Sequence, residues 1–347
     1  MRYLVTGELA QISTMLLSVR RHFSFMVRHL TPRKLVNILL CLWEMKTKKV
    51  KLRSVPFYLR VEASSICNLR CPGCQLGRRE IEGQDTGERK PGLMSLRTFK
   101  DSVKDFLPYL VKVNLYDEGE PLLNPEIFDM IRHLSDNNVS TCVSSNFSLT
   151  LSDGALLRLI DSGLEHLVVA LDGATPESYN RYRVGGDFHL VVENMRRLSA
   201  LMTPRDRKRL KIELQFIDFD DNALEREALS RMARGLDIWR FSVIQGSNRE
   251  GWPKFTGTEE ERRRRGCYQL WVTSTINSNG AIGACDFGED NGMPYLGEAR
   301  SYVAEGMRNH PLAVGLRRSF GNKLSLNEVC RHCSLYSKNY PDVTNDI

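Results

Sequence analysis

The chain has 347 residues, 41% hydrophobic and 26% charged, which is enough apolar material for a sizeable core and excludes global disorder. Its net charge of +7 is uneven: residues 1–53 carry eleven Lys or Arg against Glu8 and Glu44, giving +9, and the rest sums to −2. No apolar run approaches a membrane span, and the opening MRYLVTGELAQ lacks the order of a signal peptide, so a cytoplasmic protein is expected.

The basic extension reads as two helices. The first, Glu8 to Leu30, sets Ile12, Met15, Leu16, Val19, Phe23 and Met26 at helical spacings. The second has Thr31 as N-cap and Pro32 at the first helical position. Leu35, Val36, Ile38, Leu39, Leu42 and Trp43 follow, ahead of a basic run from Lys46 to Arg53. A basic amphipathic pair with Trp and Phe suits an anionic membrane surface, here the inner face; it equally suits packing on a main domain.

From Val55 onward strands and helices alternate. Strands are expected at Pro56–Ala63, Lys112–Tyr116, Val139–Ser144, His166–Leu171, Lys211–Phe216 and Ile238–Val243. Helices are expected at Leu96–Leu107, Pro125–Asn137, Ser152–Ser162, Leu190–Leu201 and Ala223–Arg234. Such alternation implies an α/β fold with a parallel sheet, curled into a partial TIM-like (β/α)6 barrel over residues 54–250, with its active site at the carboxyl ends of the strands.

Just after the first strand stands Cys67-Asn68-Leu69-Arg70-Cys71-Pro72-Gly73-Cys74. In a reducing compartment, nine cysteines argue for metal ligands or reactive thiols over disulfides. Three thiolates this close suit three irons of one [4Fe–4S] cube with the fourth iron open; zinc, the competing reading, wants a fourth ligand that is not nearby in sequence. The C-x3-C-x2-C spacing in this position resembles the radical S-adenosylmethionine (SAM) enzymes. Glu118-Gly119-Glu120-Pro121 is similar to that family's Gly-Gly-Glu-Pro motif, which implies that Glu120 receives the SAM amino group. The resemblance also implies cofactor contacts from Ser145 and Asn146, from Asp172 in Leu171-Asp172-Gly173, and from Arg183 in Tyr182-Arg183-Val184-Gly185-Gly186. Two positions depart from the pattern. Gly73 replaces the aromatic before the third cysteine, and Glu118 replaces the first motif glycine, which puts an extra acid near the substrate space or leaves a solvated loop carboxylate.

A second set comprises Cys267, Cys285, Cys330 and Cys333, four thiols able to enclose one more cluster or a zinc ion. Their order resembles the auxiliary-cluster twitch domain, the short relative of the SPASM domain, which would occupy residues 251–347 as a small iron–sulfur domain and hold one auxiliary [4Fe–4S] cluster. Cys41 and Cys142 stay outside both sets and read as buried thiols.

Within the twitch group the pattern resembles the 2-deoxy-scyllo-inosamine dehydrogenases, with Arg249 in Ser247-Asn248-Arg249 matching their substrate-binding arginine and Phe287 available to wall the pocket. The resemblance implies two [4Fe–4S] clusters, SAM and a reduced flavodoxin or ferredoxin. It implies a 5′-deoxyadenosyl radical that takes hydrogen from a sugar or aminocyclitol, so that an alcohol becomes a ketone while the auxiliary cluster accepts the second electron. Glu118 and Arg249 are the expected substrate-gripping pair; Arg249 as a surface residue is the alternative. Epimerases and ribosomal-peptide maturases share this machinery, a lipid-linked sugar would suit a membrane-bound enzyme, and an iron–sulfur electron-transfer module would need none of the SAM residues. No nucleic acid is expected among the partners.

Overall fold

The computed structural model of the chain describes residues 25–83, 91–219, 221–246, 258–265, 267–285, 294–298, 304–321, 325–333 and 343–345. Six parallel strands run side by side in chain order: β1 (Tyr58–Val61), β2 (Lys112–Asn114), β3 (Ser140–Ser145), β4 (His166–Ala170), β5 (Lys211–Asp218) and β6 (Arg240–Gln245). β4 is buried at every position, as expected of a strand covered on both faces, and it pairs with β5 from His166↔Lys211 to Ala170↔Gln215.

Each of the five predicted helices of this region is present between its strands. They are α3 (Leu96–Val103), α4 (Ile127–Asp136), α5 (Asp153–Asp161), α7 (Phe188–Leu201) and α9 (Arg226–Gly235), which stand among α1 (Pro32–Lys46), α2 (Gln75–Glu82), α6 (Pro176–Tyr182) and α8 (Pro204–Arg209). Ser95, Ser152 and Asp187 cap α3, α5 and α7 by accepting the backbone N–H three residues on. The helices bury Phe99, Met130, Leu134, Leu159, Met195 and Leu198 against the sheet in one core.

The sheet does not close. β7 (Thr273–Ile276) adds to β1 in parallel, β8 (Ala281–Gly283) and β9 (Gly297–Glu298) follow antiparallel, and β10 (Val343–Asn345) lies antiparallel to β6. Among the described residues the sheet has ten strands, in the order β10-β6-β5-β4-β3-β2-β1-β7-β8-β9.

The amino-terminal end of the barrel is plugged by polar side chains and by the extension. His166 Nε2 lies 2.9 Å from Glu213 Oε2, and Ser242 Oγ donates to Glu213 Oε1 at 2.5 Å. Cys142 Sγ stands 3.5 Å from His166 Nδ1, and Phe25 stacks on the imidazole with ring centroids 5.0 Å apart. Cys142 is thus a buried thiol, as is Cys41, which donates to the Val55 carbonyl. The helix predicted over Glu8–Leu30 lies outside the described residues up to position 24; Phe25–Val27 are helical. The second predicted helix is α1, with Thr31 accepting the Lys34 N–H.

His29 fastens this segment to the barrel: its Nε2 is 3.0 Å from Glu165 Oε2, to which Ser140 Oγ also donates at 2.6 Å. Burial opposes ionisation of Glu165, but the His29 and Ser140 contacts hold its pKa below the ordinary 4.5. A depressed carboxylate pKa gives stability that is present above about 4.5 and is lost as pH falls through the lower folded value. Thermal melts should therefore decline below about pH 4.5, and Glu165→Gln should be less stable at neutral pH with a shallower acid decline. An unchanged acid limb in that variant would show that Glu165 does not carry the dependence.

Candidate active site

The carboxyl ends of β1 to β5 open into a cleft of about 680 Å³, open solvent included, lined by Cys67, Cys71, Cys74, Glu118, Glu120, Ser145, Asn146, Arg183 and Gln215 among others. Cys67 and Cys71 lie in the loop that leaves β1, and Cys74 is the N-cap of α2. Two glycines permit this crowding. A Cβ on Gly77 would fall 2.4 Å from the Cys71 carbonyl oxygen, and one on Gly119 would fall 2.1 Å from that of Ser64.

The three thiols have an apolar wall and several donors. Leu69, Cys71, Tyr182, Ile217 and Phe219 form one buried cluster against which Cys67 and Cys74 pack. The Leu69 N–H points to Cys67 Sγ at 3.4 Å, Asn146 Nδ2 to the same sulfur at 3.8 Å, and Arg183 Nη1 to Cys71 Sγ at 3.9 Å. Burial pushes Cys67 up to about 12 and Cys74 up to about 11, so as bare thiols they stay protonated. A cationic iron centre would reverse that preference, and N–H donors to sulfur are the usual means of tuning such a centre. The residues present fit a [4Fe–4S] cluster on this chemistry. Among the described residues no group of three or more His, Cys, Asp or Glu side chains forms a metal-ion site.

Glu120 stands opposite. Its Oε1 accepts from Ser145 Oγ at 2.8 Å and from the Leu122 N–H at 3.0 Å, and its Oε2 accepts from the Asn146 N–H at 2.7 Å. Burial nevertheless pushes its pKa up to about 7, outweighing these three donors and the charge of Arg183. The ammonium group of SAM would add a further cation.

Asp172 is fully buried and does not line the cavity; its Oδ2 holds Arg183 Nε at 2.5 Å, and its Oδ1 accepts the Ile217 N–H at 2.6 Å. It positions Arg183, which does line the cavity. Glu118, nearly buried, faces Arg79 Nη1 at 3.4 Å. Arg249 and Phe287 lie outside the described residues.

Sequence reasoning did not single out Tyr116 or Asp117, which line the cavity, nor the arginines that pair with its acids from outside the lining, Arg60 with Asp117 at 3.1 Å and Arg79 with Glu118. It also missed Gln215, although its place near the end of β5 put it at the same barrel mouth as the other motifs.

The second cysteine set comes from three stretches of the chain. Cys267 follows α10 (Glu259–Arg265), Cys285 follows β8, and Cys330 and Cys333 lie in and just after α14 (Glu328–His332). Between these stand α11 (Gln269–Val272), α12 (Ala304–Arg308) and α13 (Pro311–Gly321). Glu259 ties α10 to the α14 turn, accepting from the Leu326 N–H and facing Arg331 at 3.8 Å, and Cys285 and Cys330 are buried in the same core against which Cys267 packs. None of the nine cysteines is in a disulfide.

Residues 61–210 match the model of the Radical SAM superfamily. This segment is a radical SAM domain. It contains all three cavity cysteines, Glu120, Ser145, Asn146, Asp172 and Arg183. Over 172 residues the chain is 30% identical to a probable GTP 3′,8-cyclase of Methanococcus maripaludis, covering 48% of this chain and 51% of that protein. It is 26% identical over 145 residues to the mycofactocin maturase MftC of Mycobacterium tuberculosis, covering 42% and 35%. The chain thus spans about half or less of the length of these curated relatives. Among solved structures, Streptococcus suis SuiB bound to S-adenosylmethionine superimposes with a TM-score of 0.60 at 16% identity, covering 82% of this chain and 72% of that one. BtrN in complex with AdoMet and 2-DOIA gives 0.51 at 13% identity, covering 84% and 99%. These likenesses are of fold: an open, mostly parallel partial barrel. The family implies SAM and a [4Fe–4S] cluster.

Proposed function

We propose that the chain is a radical SAM oxidoreductase that converts an alcohol of a sugar or aminocyclitol to a ketone. The observation that supports this reading is the lining of the cavity at the strand ends. It brings the three thiols and Glu120 together with Tyr116, Asp117 and Glu118, and the two acids are paired from outside the lining by Arg60 and Arg79. When bound, the cluster at Cys67, Cys71 and Cys74 together with SAM supplies hydrogen-atom abstraction.

The chain does the rest. Glu120, Ser145 and Asn146 hold the methionine end, Arg183 braced by Asp172 borders the cluster, and Glu118 with Arg79 offers an acceptor and a fork of donors to hydroxyl and amine groups. Arg249 is proposed as a further donor to the substrate. An auxiliary [4Fe–4S] cluster at Cys267, Cys285, Cys330 and Cys333 is the proposed acceptor of the second electron, and reduced flavodoxin or ferredoxin the proposed source of the first. The oxidation is supported by the overall likeness to BtrN, whose complex holds AdoMet and 2-DOIA. The higher TM-score of SuiB, also solved bound to the precursor peptide SuiA, favours peptide modification as a second reading.

Anaerobically reconstituted protein is expected to hold about eight irons per chain, and about four after Cys67, Cys71 and Cys74 become Ala. With reductant, SAM and aminocyclitols it should form 5′-deoxyadenosine and a product lighter by two hydrogens in equal amounts. Stoichiometric zinc in the C-terminal set would remove the auxiliary cluster from the scheme, and turnover of a peptide in place of every sugar would move the assignment to the maturases.

A further inference from the structure

α1 sits on the barrel with its polar side inward. Lys34, Asn37, Cys41 and Glu44, spaced along one face, are its buried residues. Asn37 exchanges two 2.8 Å hydrogen bonds with the Val55 backbone, Lys34 Nζ donates to the Asn138 carbonyl at 2.5 Å, and Glu44 accepts the Arg53 N–H at 2.7 Å and the Ser54 hydroxyl at 2.5 Å. These contacts fix the rotation of the helix. On the opposite face Leu35 is 46% exposed, Val36 65%, Leu39 58% and Trp43 52%.

The charge around this apolar row is of one sign. Lys46, Lys48 and Lys49 are exposed, Lys49 Nζ lies 5.1 Å over the Trp43 ring, and Glu44, the only acid between residues 25 and 53, is buried. We propose that this face of α1 docks on an anionic phospholipid bilayer, its apolar row entering the acyl boundary and its basic rim facing the phosphates. A second copy is a poor occupant, because pairing two such faces would bring the basic rims together with no acid between them. No helix among the described residues is long and apolar enough to cross a membrane, so the contact is peripheral.

The seat of the helix also fixes orientation. α1 rests on Val55, Tyr109 and Asn138, which precede β1, β2 and β3, whereas the cavity lies beyond the carboxyl ends of those strands. The bilayer therefore meets the base of the barrel, and the mouth faces water. A substrate embedded in the same membrane would not reach it, which favours a water-soluble one.

The full chain should float with phosphatidylglycerol-containing vesicles at roughly ten times the bound fraction seen with pure phosphatidylcholine, and less as salt rises. The Leu39→Ser/Trp43→Ser variant alters exposed positions, so it should keep its melting temperature and lose about tenfold in binding. Vesicle-bound protein should cleave SAM at the rate of the free protein. The docking proposal fails if the full chain does not float, if the double variant floats equally well, or if light scattering finds a dimer that the double variant dissociates. It also fails if only a chain lacking residues 1–24 binds, since that segment would then be the occupant. Loss of SAM cleavage on vesicles would overturn the orientation.

Discussion

Replacing Asp172 by Asn should destabilise the protein by about 3–5 kcal/mol, the scale for breaking a buried ion pair from one side. Asp172 is fully buried and Arg183 has only a small exposed fraction, with Nε 2.5 Å from Asp172 Oδ2. Burial works against the guanidinium, yet the Asp172 carboxylate and the nearby Cys71 raise its pKa well above the ordinary value. Arg183 cannot escape by losing its proton, unlike a buried Lys. An Asn amide would keep one acceptor and turn its NH2 toward either the Ile217 N–H or Arg183, setting donor against donor. Thermal melts of cluster-loaded protein under argon would read the loss. Asp172→Asn combined with Arg183→Met should recover part of it, because the stranded charge is then gone. A drop below about 1 kcal/mol would mean that water reaches Arg183 and that Asp172 is not what holds it.

The elements that sequence reasoning reached are those whose signals are local. β4 is five consecutive buried residues, and Thr31-Pro32 announces α1 through its cap. The same Thr-Pro signal opens α6 at Thr175-Pro176 and α8 at Thr203-Pro204, each closed into a capping box by Ser178 or Asp206, so those helices were legible and were passed over. The facing of α1 was not legible. Its apolar stripe points outward because partners far along the chain, Val55 and Asn138 among them, satisfy its polar side. β7 joining β1 is equally non-local, since its register spans more than two hundred residues of chain.

In the site, the short motifs gave the cysteines, Glu120, Ser145 and Asn146, because loops at strand ends keep sequence neighbours together. Arg79 meeting Glu118 depends on where α2 swings after Cys74, which spacing alone does not encode. Asp172, expected at the cofactor from its place at the end of β4, turns its side chain under Arg183 and the β5 backbone, contacts that its motif does not announce.

Glu120→Gln should have the largest effect on activity of any single carboxylate change. A charge-assisted contact with an ammonium group is worth about 1.5–3 kcal/mol, so SAM affinity should fall roughly tenfold to a hundredfold. The three donors around Glu120, from Ser145, Leu122 and Asn146, favour the ionised form, whereas complete burial outweighs them and pushes the pKa up to about 7. A carboxyl raised in this way binds more protons folded than unfolded between about pH 4.5 and 7, so its ionisation costs stability as pH rises through that window. Gln carries no such cost, although its NH2 opposes one of the three donors, typically a loss of about 1–3 kcal/mol. The stability lead of the wild type over Glu120→Gln should therefore shrink as pH rises from about 5 to 8, while its lead in SAM affinity remains at the upper end. Calorimetric titration of cluster-loaded protein with SAM, paired with melts at both pH values, separates the two. Equal SAM affinity in wild type and variant would show that Glu120 is not the ammonium acceptor. A stability difference independent of pH would show that the carboxyl keeps its ordinary pKa and that solvent reaches it.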